Sequence, residues 1–431
     1  MPGSSVTDAE VRRALDSVFR AERSILLASL VQRYHDLDLA EEVTADAIES
    51  ALKHWPIDGI PAKPGAWLVT TARRKAVDRL RRDHNLAAKV GVLQADMDRN
   101  EPSSLNPLDE SLPDDRLQLF FTCAHPALAP ADRLALTLRC LAGLGTGEVA
   151  RALLIPPATA AQRIVRAKNK IRAARIPFRL PGPDELAGRV PMVLEVVYSI
   201  FTEGYSATSG DHVGRVDLTD EALGMGRLLR AALPSEPEVT GLLALMLLVD
   251  ARRDARITPD GEIVLLADQD RRLWNAEFIA EGSQLVVEAL GSGRGGPYAV
   301  QAAIAALHDE SPDADSTDWL QIVALYDVLT TLTPSPIVAL NRAVAVAMVE
   351  GPEAGLELLD TVAAEPALRR YHPFATARAD LLHRLGRVDE SAVHYRQALD
   401  FARTTPEKRL LTRCLAEVTD ARAQAESTES T

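Results

Sequence analysis

The chain has 431 residues, of which 47% are hydrophobic, and carries a net charge of −13. This length can bury two or more domain cores, and no run of about 18 apolar residues indicates a membrane span. A polar N-terminus without signal-peptide regions and three widely spaced cysteines, too few for a disulfide framework, indicate a cytoplasmic location. The acidic balance argues against indiscriminate coating of nucleic acid, so a polyanion is expected to bind only at local basic segments.

Nearly every long segment has the apolar spacing of an amphipathic helix, as at Leu134, Leu138 and Leu141. This pattern predicts an all-α, multidomain protein. The segment from Ala255 to Leu266 is the exception, because it places Pro-Asp-Gly between short β-prone runs and predicts a small hairpin.

The first predicted helix of functional interest runs from Asp38 to Trp55 and is strongly acidic on its polar side. An acidic face repels DNA but suits a basic protein surface. A solvated charged face is the alternative interpretation.

The next segment, from Trp55 to Pro64, is rich in proline and glycine and predicts a loop. A basic helix follows it, with Trp67 in its first turn and Arg82 at its end. An aromatic edge beside basic side chains suits unstacked single-stranded bases, although both tryptophans fit a role in the core equally well.

A second basic motif has the spacing of a helix-turn-helix. A helix near residues 146–153 is followed by a short turn and by a second helix that carries five cations and no acidic residue. Its Thr159, Gln162 and Arg163 are residue types that reach base edges, whereas Lys168 suits a phosphate. A solvated basic face is the alternative.

Two proline-rich segments predict domain boundaries. The segment from Asp96 to Asp115 is acidic and predicts a linker, and three prolines between Arg175 and Asp184 end the preceding helix. Helices are predicted from there to about Glu417, and Gly351 and Gly386 mark similar helix pairs thirty-five residues apart. This period is close to that of tetratricopeptide repeats, with an irregular helical bundle as the alternative.

Three further patterns give no functional prediction. Gly291-Ser-Gly-Arg-Gly-Gly296 satisfies a dinucleotide fingerprint but follows a predicted helix instead of a strand. Cys123 and His125 have no second pair at metal-binding spacing, so buried thiols are favoured over a metal site. Because no nucleophile is paired with a base, we expect no catalytic residue, no cofactor and no enzymatic activity.

In this order, the segments resemble the extracytoplasmic-function (ECF) group of bacterial RNA polymerase sigma factors, within the sigma-70 family. The form Trp-Pro-x-Asp-Gly-x-Pro, the run from Phe121 to Pro130 and the long helical extension are similar to the subgroup with a tetratricopeptide-like C-terminal domain. The resemblance covers about residues 8–417. It implies sigma region 2 over 8–90, an acidic linker over 91–114, sigma region 4 over 115–178 and a helical regulatory domain over 185–417.

The resemblance also implies the partners, which are core RNA polymerase and promoter DNA, with no membrane and no dedicated anti-sigma factor. The acidic helix would bind the coiled coil of the polymerase β′ subunit, and the back of region 4 would meet the β flap. The implied core-binding residues are Asp38, Glu41, Glu42, Asp46 and Glu49. The implied minus-10 residues are Trp55, Asp58, Lys63, Trp67, Arg73, Arg74, Lys75, Arg79 and Arg82. The implied minus-35 residues are Thr159, Gln162, Arg163, Arg166 and Lys168.

Two other functions stay open at this point. A conventional helix-turn-helix regulator with a helical sensor domain would bind duplex DNA without polymerase, and a helical scaffold would bind neither. The acidic helix also departs from the family pattern, because Ala45 and Ile48 stand where many relatives carry Gln and a large aromatic residue.

Overall fold

The computed structural model describes residues 23–90, 112–153, 155–205 and 215–429. These residues are helical nearly throughout, which confirms the predicted all-α class. Most of the predicted acidic linker, residues 91–111, lies outside the described residues. The chain divides into two compact units, residues 1–196 and 197–431.

The first unit contains the two predicted basic segments and the acidic helix. Its described helices are α1 (residues 23–34), α2 (Leu37–Asp58), α3 (Pro64–Val90), α4 (Leu112–Cys123), α5 (Pro130–Cys140), α6 (Thr146–Ala152), α7 (Pro157–Ala173) and the start of α8 (Pro183–Tyr205).

Helix α2 begins at a capping aspartate and packs against α3. The Asp36 carboxylate accepts hydrogen bonds from the N–H groups of Asp38 and Leu39 at 2.8 and 3.1 Å. At the other end, Gly59 adopts a φ of 83°, a conformation that favours glycine and ends the helix. One apolar stripe is buried, consisting of Leu37, Ala40, Val43, Ala47, Ala51 and Trp55. The stripe leaves the acidic residues on the remaining faces of α2.

Helices α5, α6 and α7 pack on one another, and α6 and α7 form the predicted helix-turn-helix. At the start of α6, the Glu148 carboxylate accepts a hydrogen bond from the Gly145 N–H at 2.6 Å. Pro157 opens α7, where its missing N–H removes no helical hydrogen bond. Helix α7 buries Ala160, Ile164, Ala167 and Ile171. Their spacing keeps the polar faces of α7 available for contacts.

The second unit is a succession of helices. They are the end of α8, α9 (Val216–Ala232), α10 (Pro237–Ala251), α11 (Ala276–Gly291), α12 (Pro297–Glu310), α13 (Trp319–Leu332), α14 (Pro336–Val349), α15 (Pro352–Val362), α16 (His372–Arg384), α17 (Val388–Phe401) and α18 (Thr405–Glu429).

Helix α10 lies at the centre of its neighbourhood, since α9, α11 and α12 each pack against it. Every residue from Val239 to Leu248 is buried. The close approach depends on glycine, because an added Cβ at Gly241 would lie 2.6 Å from the backbone nitrogen of Ala299. A helix that is apolar on all sides is typical of such a central position.

The predicted helical repeat is present in the pairs α14–α15 and α16–α17. Gly351 and Gly386 connect the helices of the two pairs with φ values of 99° and 73°. Within the first pair, an added Cβ at Gly355 would meet the Ala347 Cβ at 2.5 Å. Small residues therefore set the distance between helices, as the sequence predicts.

The predicted hairpin between Ala255 and Leu266 is present only as a tight reversal of the chain. A single antiparallel bridge joins Ile257 and Ile263, and Gly261 adopts a φ of 80° in the turn. The predicted small hairpin is therefore present in reduced form, as a turn closed by one bridge. Its β-prone residues are too few to form a ladder beyond one bridge.

A carboxylate of α10 accepts hydrogen bonds from the end of the glycine-rich segment and from the start of α12. Glu238 accepts hydrogen bonds from the N–H groups of Gly296, Tyr298 and Ala299 at 2.9, 2.9 and 3.1 Å. These amides are the groups that a bound phosphate requires at a helix start. A protein side chain therefore occupies the position that the fingerprint would give to a nucleotide.

The carboxyl group of Asp309, at the end of α12, is fully buried. The Asp309 side chain has no solvent exposure, and the Arg252 Nε lies 3.6 Å from its Oδ1. Burial raises the pKa of Asp309 to about 7, although Arg252 and Arg271 act in the opposite direction. Burial also lowers the pKa of the adjacent His308 to about 4.

We expect Asp309→Asn to stabilise the protein above about pH 7 and to change little near pH 4. The native state favours the protonated form of Asp309. The stability that this group contributes is therefore lost as the pH rises from 3.8 to about 7. The full difference corresponds to about 4 kcal/mol in the free energy of unfolding. Denaturant unfolding of both proteins across this range measures it, and a gap that does not widen with pH would contradict the assignment.

Candidate nucleic-acid interface

Helix α3 uses some of its cations within the protein and leaves others at the surface. Arg73 donates a hydrogen bond to the Ser29 Oγ at 3.1 Å, and Arg79 pairs with Glu42 at 2.6 Å. The remaining polar residues of the predicted minus-10 set are Asp58, Lys63, Arg74 and Arg82, which are exposed, and Lys75, which is half-buried. The exposed cations give this side of the unit a surface suited to phosphate.

The structure places Trp55 in the core, which contradicts its predicted role at the DNA surface. Its relative exposure is 1%, and its ring meets the half-buried ring of Trp67 edge to face, with centroids 5.6 Å apart. Helix α2 extends to Asp58, so the predicted loop begins only at Gly59 and Trp55 lies on the buried stripe. Trp67 is half-buried, and its role at the DNA surface stays a prediction.

Helix α7 presents its predicted base-reading residues on the faces away from its buried stripe. Gln162 is exposed, and Thr159 and Arg163 are half-buried. The Arg166 side chain is 64% exposed and pairs with Asp132 of α5 at 2.7 Å. The part of the chain that the structure describes contains no ion pair to Arg163. This surface therefore carries two guanidinium groups suited to DNA, those of Arg163 and of the ion-paired Arg166.

The acidic residues of α2 divide into two groups. Glu42 pairs with Arg79 of α3, and Glu49 pairs with Lys53 of its own helix. Both carboxylates remain largely accessible, with exposed fractions of 48% and 61%, and Asp46 is half-buried. Glu42 and Glu49 therefore remain accessible to a protein partner, although each holds one ion pair.

Asp38 and Glu41 instead take part in an ion cluster with Arg139 of α5 and with Lys168 and Arg172 of α7. The Arg139 Nε donates to the Glu41 Oε1 at 2.7 Å, and the Lys168 Nζ donates to the Asp38 Oδ1 at 2.9 Å. Lys168 also donates to Glu41, and Arg172 donates to Asp38. The side chains of Glu41 and Lys168 are each only 12% exposed. The ion cluster thus engages two predicted core-binding residues and one predicted minus-35 residue. It shields Glu41 and Lys168 and leaves the Asp38 side chain 48% exposed.

The pKa shifts follow from these contacts. Partial burial tends to raise the pKa of Asp38, but hydrogen bonds from Lys168 and Arg172 bring it below the ordinary value. Burial tends to lower the pKa of Lys168, but hydrogen bonds to Glu41 and Asp38 raise it above the ordinary value. Asp38 and Lys168 are therefore both charged at neutral pH.

Sequence reasoning missed Arg139, which lies on an amphipathic helix with no motif around it. A cavity of about 190 Å³ lies beside it, and its lining includes Glu41, Ala45 and Ile48. Ala45 and Ile48 are the positions where this chain departs from the family pattern. The cavity therefore coincides with the place where larger side chains are expected.

The run from Phe121 to Pro130 holds the segment that follows α7. Arg189 of α8 donates to the Phe121 carbonyl and lies over the Phe121 ring, 5.9 Å from its centroid. Cys123 is buried, and a hydrogen bond with Cys140 together with burial raises the pKa of its thiol. The run therefore has a packing role in this unit.

Two known families match the parts of the chain that carry α3 and α7. The Sigma-70 region 2 family matches residues 18–85, and the Sigma-70 region 4 family matches residues 121–171. The protein named "Probable ECF RNA polymerase sigma factor SigI" from Mycobacterium tuberculosis is 25% identical over 163 residues, which are 38% of this chain and 56% of SigI. The chain carries sigma-70 regions 2 and 4 and is similar to an ECF sigma factor. In this sigma factor, the exposed cations of α3 therefore lie in region 2, and those of α7 lie in region 4.

The similarity extends beyond the sigma regions. A family of unknown function, DUF6596, matches residues 189–290 of this sigma factor. An uncharacterized protein of Rhizobium meliloti is 40% identical over 395 residues, which are 91% of this chain and 93% of that protein. A crystal structure of yeast Tom70 covers 98% of this chain and 88% of Tom70, but its TM-score of 0.38 at 14% identity is too low to establish a shared fold.

Two observations concern other kinds of site. Within the described ranges, this sigma factor has no helix that is long and apolar enough to cross a membrane. The same ranges hold no group of three or more His, Cys, Asp or Glu side chains placed to bind a metal ion.

We expect Trp55→Ala to lower the free energy of unfolding of region 2 by about 3–5 kcal/mol, because it empties a fully buried site. Trp67→Ala removes a half-buried ring, and we expect a smaller loss. Denaturant unfolding followed by circular dichroism measures both. Equal stability of Trp55→Ala and the wild type would contradict the core assignment.

Proposed function

We propose that this sigma factor binds core RNA polymerase in the cytoplasm and directs it to specific promoters, without a dedicated anti-sigma factor. The observation that carries the proposal is the order of the two matched sigma regions, each with an exposed basic helix in one compact unit. Neither region brings a catalytic domain. Polymerase supplies the chemistry of RNA synthesis, and this chain supplies recognition.

Region 2 has the contacts for two of these tasks. The accessible carboxylates of Glu42, Asp46 and Glu49 suit the basic surface of the β′ coiled coil. On α3, Trp67 offers a half-buried ring for stacking, and Arg74 and Arg82 offer charge for the backbone of a melted strand. This pairing of an acidic and a basic helix fits a protein that bridges polymerase and single-stranded DNA.

Region 4 has the contacts for duplex DNA. Helix α7 would enter the major groove with Thr159, Gln162 and Arg163 facing base edges, as the second helix of a helix-turn-helix does. Arg166 would leave Asp132 to reach a base or a phosphate. The opposite side of region 4 would remain available to the β flap.

The second unit is proposed to control the first. It adds 235 residues that follow the matched sigma regions. Its stacked helix pairs are the kind of scaffold that binds other proteins. Control by this unit would take the place of an anti-sigma factor.

We expect Arg163→Ala to reduce promoter-specific transcription about 5- to 150-fold, the equivalent of one lost base contact. The measurement is run-off transcription with purified bacterial core polymerase on a promoter library. Arg179→Ala, which removes an exposed cation that pairs with Glu185 after α7, is the matched control and should leave transcription unchanged. Transcripts that do not depend on the added chain, with tight duplex binding by the chain alone, would favour a conventional regulator.

We also expect a variant that disrupts the second unit to change transcription by wild-type region 2 and region 4. Gly241→Val suits this test, because its side chain would meet the backbone of Ala299. Gly188→Val, at a position on α8 with open space around it, is the control. Run-off transcription at equal protein concentration measures the effect, and unchanged output despite an unfolded second unit would contradict control by this unit.

A further inference from the structure

The α10–α11 loop, residues 252–275, is a long excursion of the second unit that leaves and rejoins it at one point. The Asn275 N–H, at the end of the loop, donates to the carbonyl of Ala251, where α10 ends, at 2.8 Å. The regular structure of the loop consists of three 3₁₀ turns and one antiparallel bridge. Connections of more than about 15 residues without a helix or strand are uncommon in compact domains, and ordered ones usually have a function.

Side chains attach the two halves of this loop to different neighbours. In the first half, Arg256 donates to the Tyr205 carbonyl at 2.9 Å and lies over the Tyr205 ring. In the second half, Arg271 donates to the His308 carbonyl at the end of α12 at 2.9 Å, and the Trp274 side chain beside it is buried. The end of α12 is therefore the anchor of residues 266–274.

This anchor encloses polar groups that lack hydrogen-bond partners. Both carboxyl oxygens of Asp309 and the indole Nε1 of Trp274 are buried, and none of them has a hydrogen-bond partner among the described residues. The same holds for the Arg252 Nε, although it lies 3.6 Å from the Asp309 Oδ1. Burial without partners is costly for any polar group, and most costly for an ionised carboxylate. The closed anchor therefore favours an uncharged Asp309.

The charged groups that face Asp309 do not reverse this preference. Arg252 at the end of α10 and Arg271 of the loop favour its ionised form, whereas Glu310 of its own helix opposes it. Burial lowers the pKa of the neighbouring His308 to about 4, so this imidazole is neutral at pH 7. In the described part of the chain, α11 and α13 bring no charged group that acts on Asp309. Burial therefore outweighs both arginines.

We propose that Asp309 and the α10–α11 loop form a proton-controlled latch in the second unit. While Asp309 holds a proton, residues 266–274 stay closed on the end of α12. When the proton is lost, the carboxylate gains free energy by reaching water, and this half of the loop lifts away while α10 and α12 remain packed. The latch makes the second unit respond to pH, and it does not depend on the proposed function.

The direction of the pH response follows from the two forms of the latch. In the open form the pKa of Asp309 is the ordinary value of 3.8, and in the closed form burial raises it to about 7. Opening therefore becomes easier as the pH rises towards 7 and levels off above it, where both forms are ionised. From pH 6 to pH 8 the equilibrium constant for opening increases about tenfold.

The first experiment measures this opening by hydrogen exchange of the full-length chain with mass spectrometry between pH 6 and pH 9. After correction for the intrinsic exchange rate, we expect the protection of residues 266–274 to fall about tenfold from pH 6 to pH 8 and then to level off. Peptides from α16 and α17 report the stability of the whole unit and should keep their protection. An equal fall in all peptides, or a fall in none, would overturn the latch.

The second experiment removes the titrating group and keeps its shape. We expect Asp309→Asn to retain the loop protection of pH 6 at every pH up to 9, because its side chain stays uncharged. Asp268→Asn, which removes an exposed acid from the same loop, is the matched control and should respond to pH as the wild type does. A pH response that survives in Asp309→Asn would overturn the proposal, as would one that is absent from Asp268→Asn.

The third experiment shifts the response instead of removing it. Arg271→Met deletes a charge that favours the ionised form of Asp309, and Arg272→Met deletes an 89% exposed neighbour that pairs with Asp270. We expect the fall in loop protection to continue beyond pH 8 in Arg271→Met, because the pKa of Asp309 rises further, and to end as in the wild type in Arg272→Met. A fall that ends at the same pH in both variants would overturn the assignment to Asp309.

Discussion

A carboxylate that has lost most of its hydration water needs nearby cations to stabilise its charge. Region 4 supplies two of them to Glu41. Arg139 and Lys168 come from two different helices of region 4, and Arg23 of α1 lies 3.9 Å from the same carboxylate. Removing one of these cations would weaken the compensation of a charge in a poorly hydrated site. These ion pairs connect α2 to α5 and α7. Each acid or cation used in the ion cluster is one fewer on a binding surface, so the cluster limits which charges of the first unit are available to partners.

The sequence was a good guide to the helices and a poorer one to their partners. Apolar spacing predicted α2, α6 and α7, and the glycine period predicted the helix pairs of the second unit, because these patterns report which face of a helix is buried. The proline- and glycine-rich composition predicts a loop from Trp55 onward, yet the helix continues through Pro56 to Asp58. Local composition could not show that the ring lies on the buried stripe.

The ion cluster could not be predicted from the sequence, for a different reason. Lys168 and Arg172 on α7 and Asp38 and Glu41 on α2 are separated by about 130 residues, and each set has the composition of an external binding face. The charge pattern of a helix indicates which kinds of partner it can bind. It does not indicate whether that partner is another molecule or another part of the same chain. Arg139 carries no local signal at all, since a single arginine at a helix end is an ordinary surface residue.

The carboxylate of Glu238 has a consequence for how the second unit can move. It lies at the positive end of the α12 dipole, where a negative charge is stabilising, and it satisfies three amides that would otherwise be unpaired. Nearby, the backbones of Gly241 and Ala299 meet without room for a methyl group. A slip of α10 along α12 by one turn would break both contacts together. Any signal that passes through this unit must therefore move α10 and α12 as one rigid body, with the motion taken up at their outer neighbours.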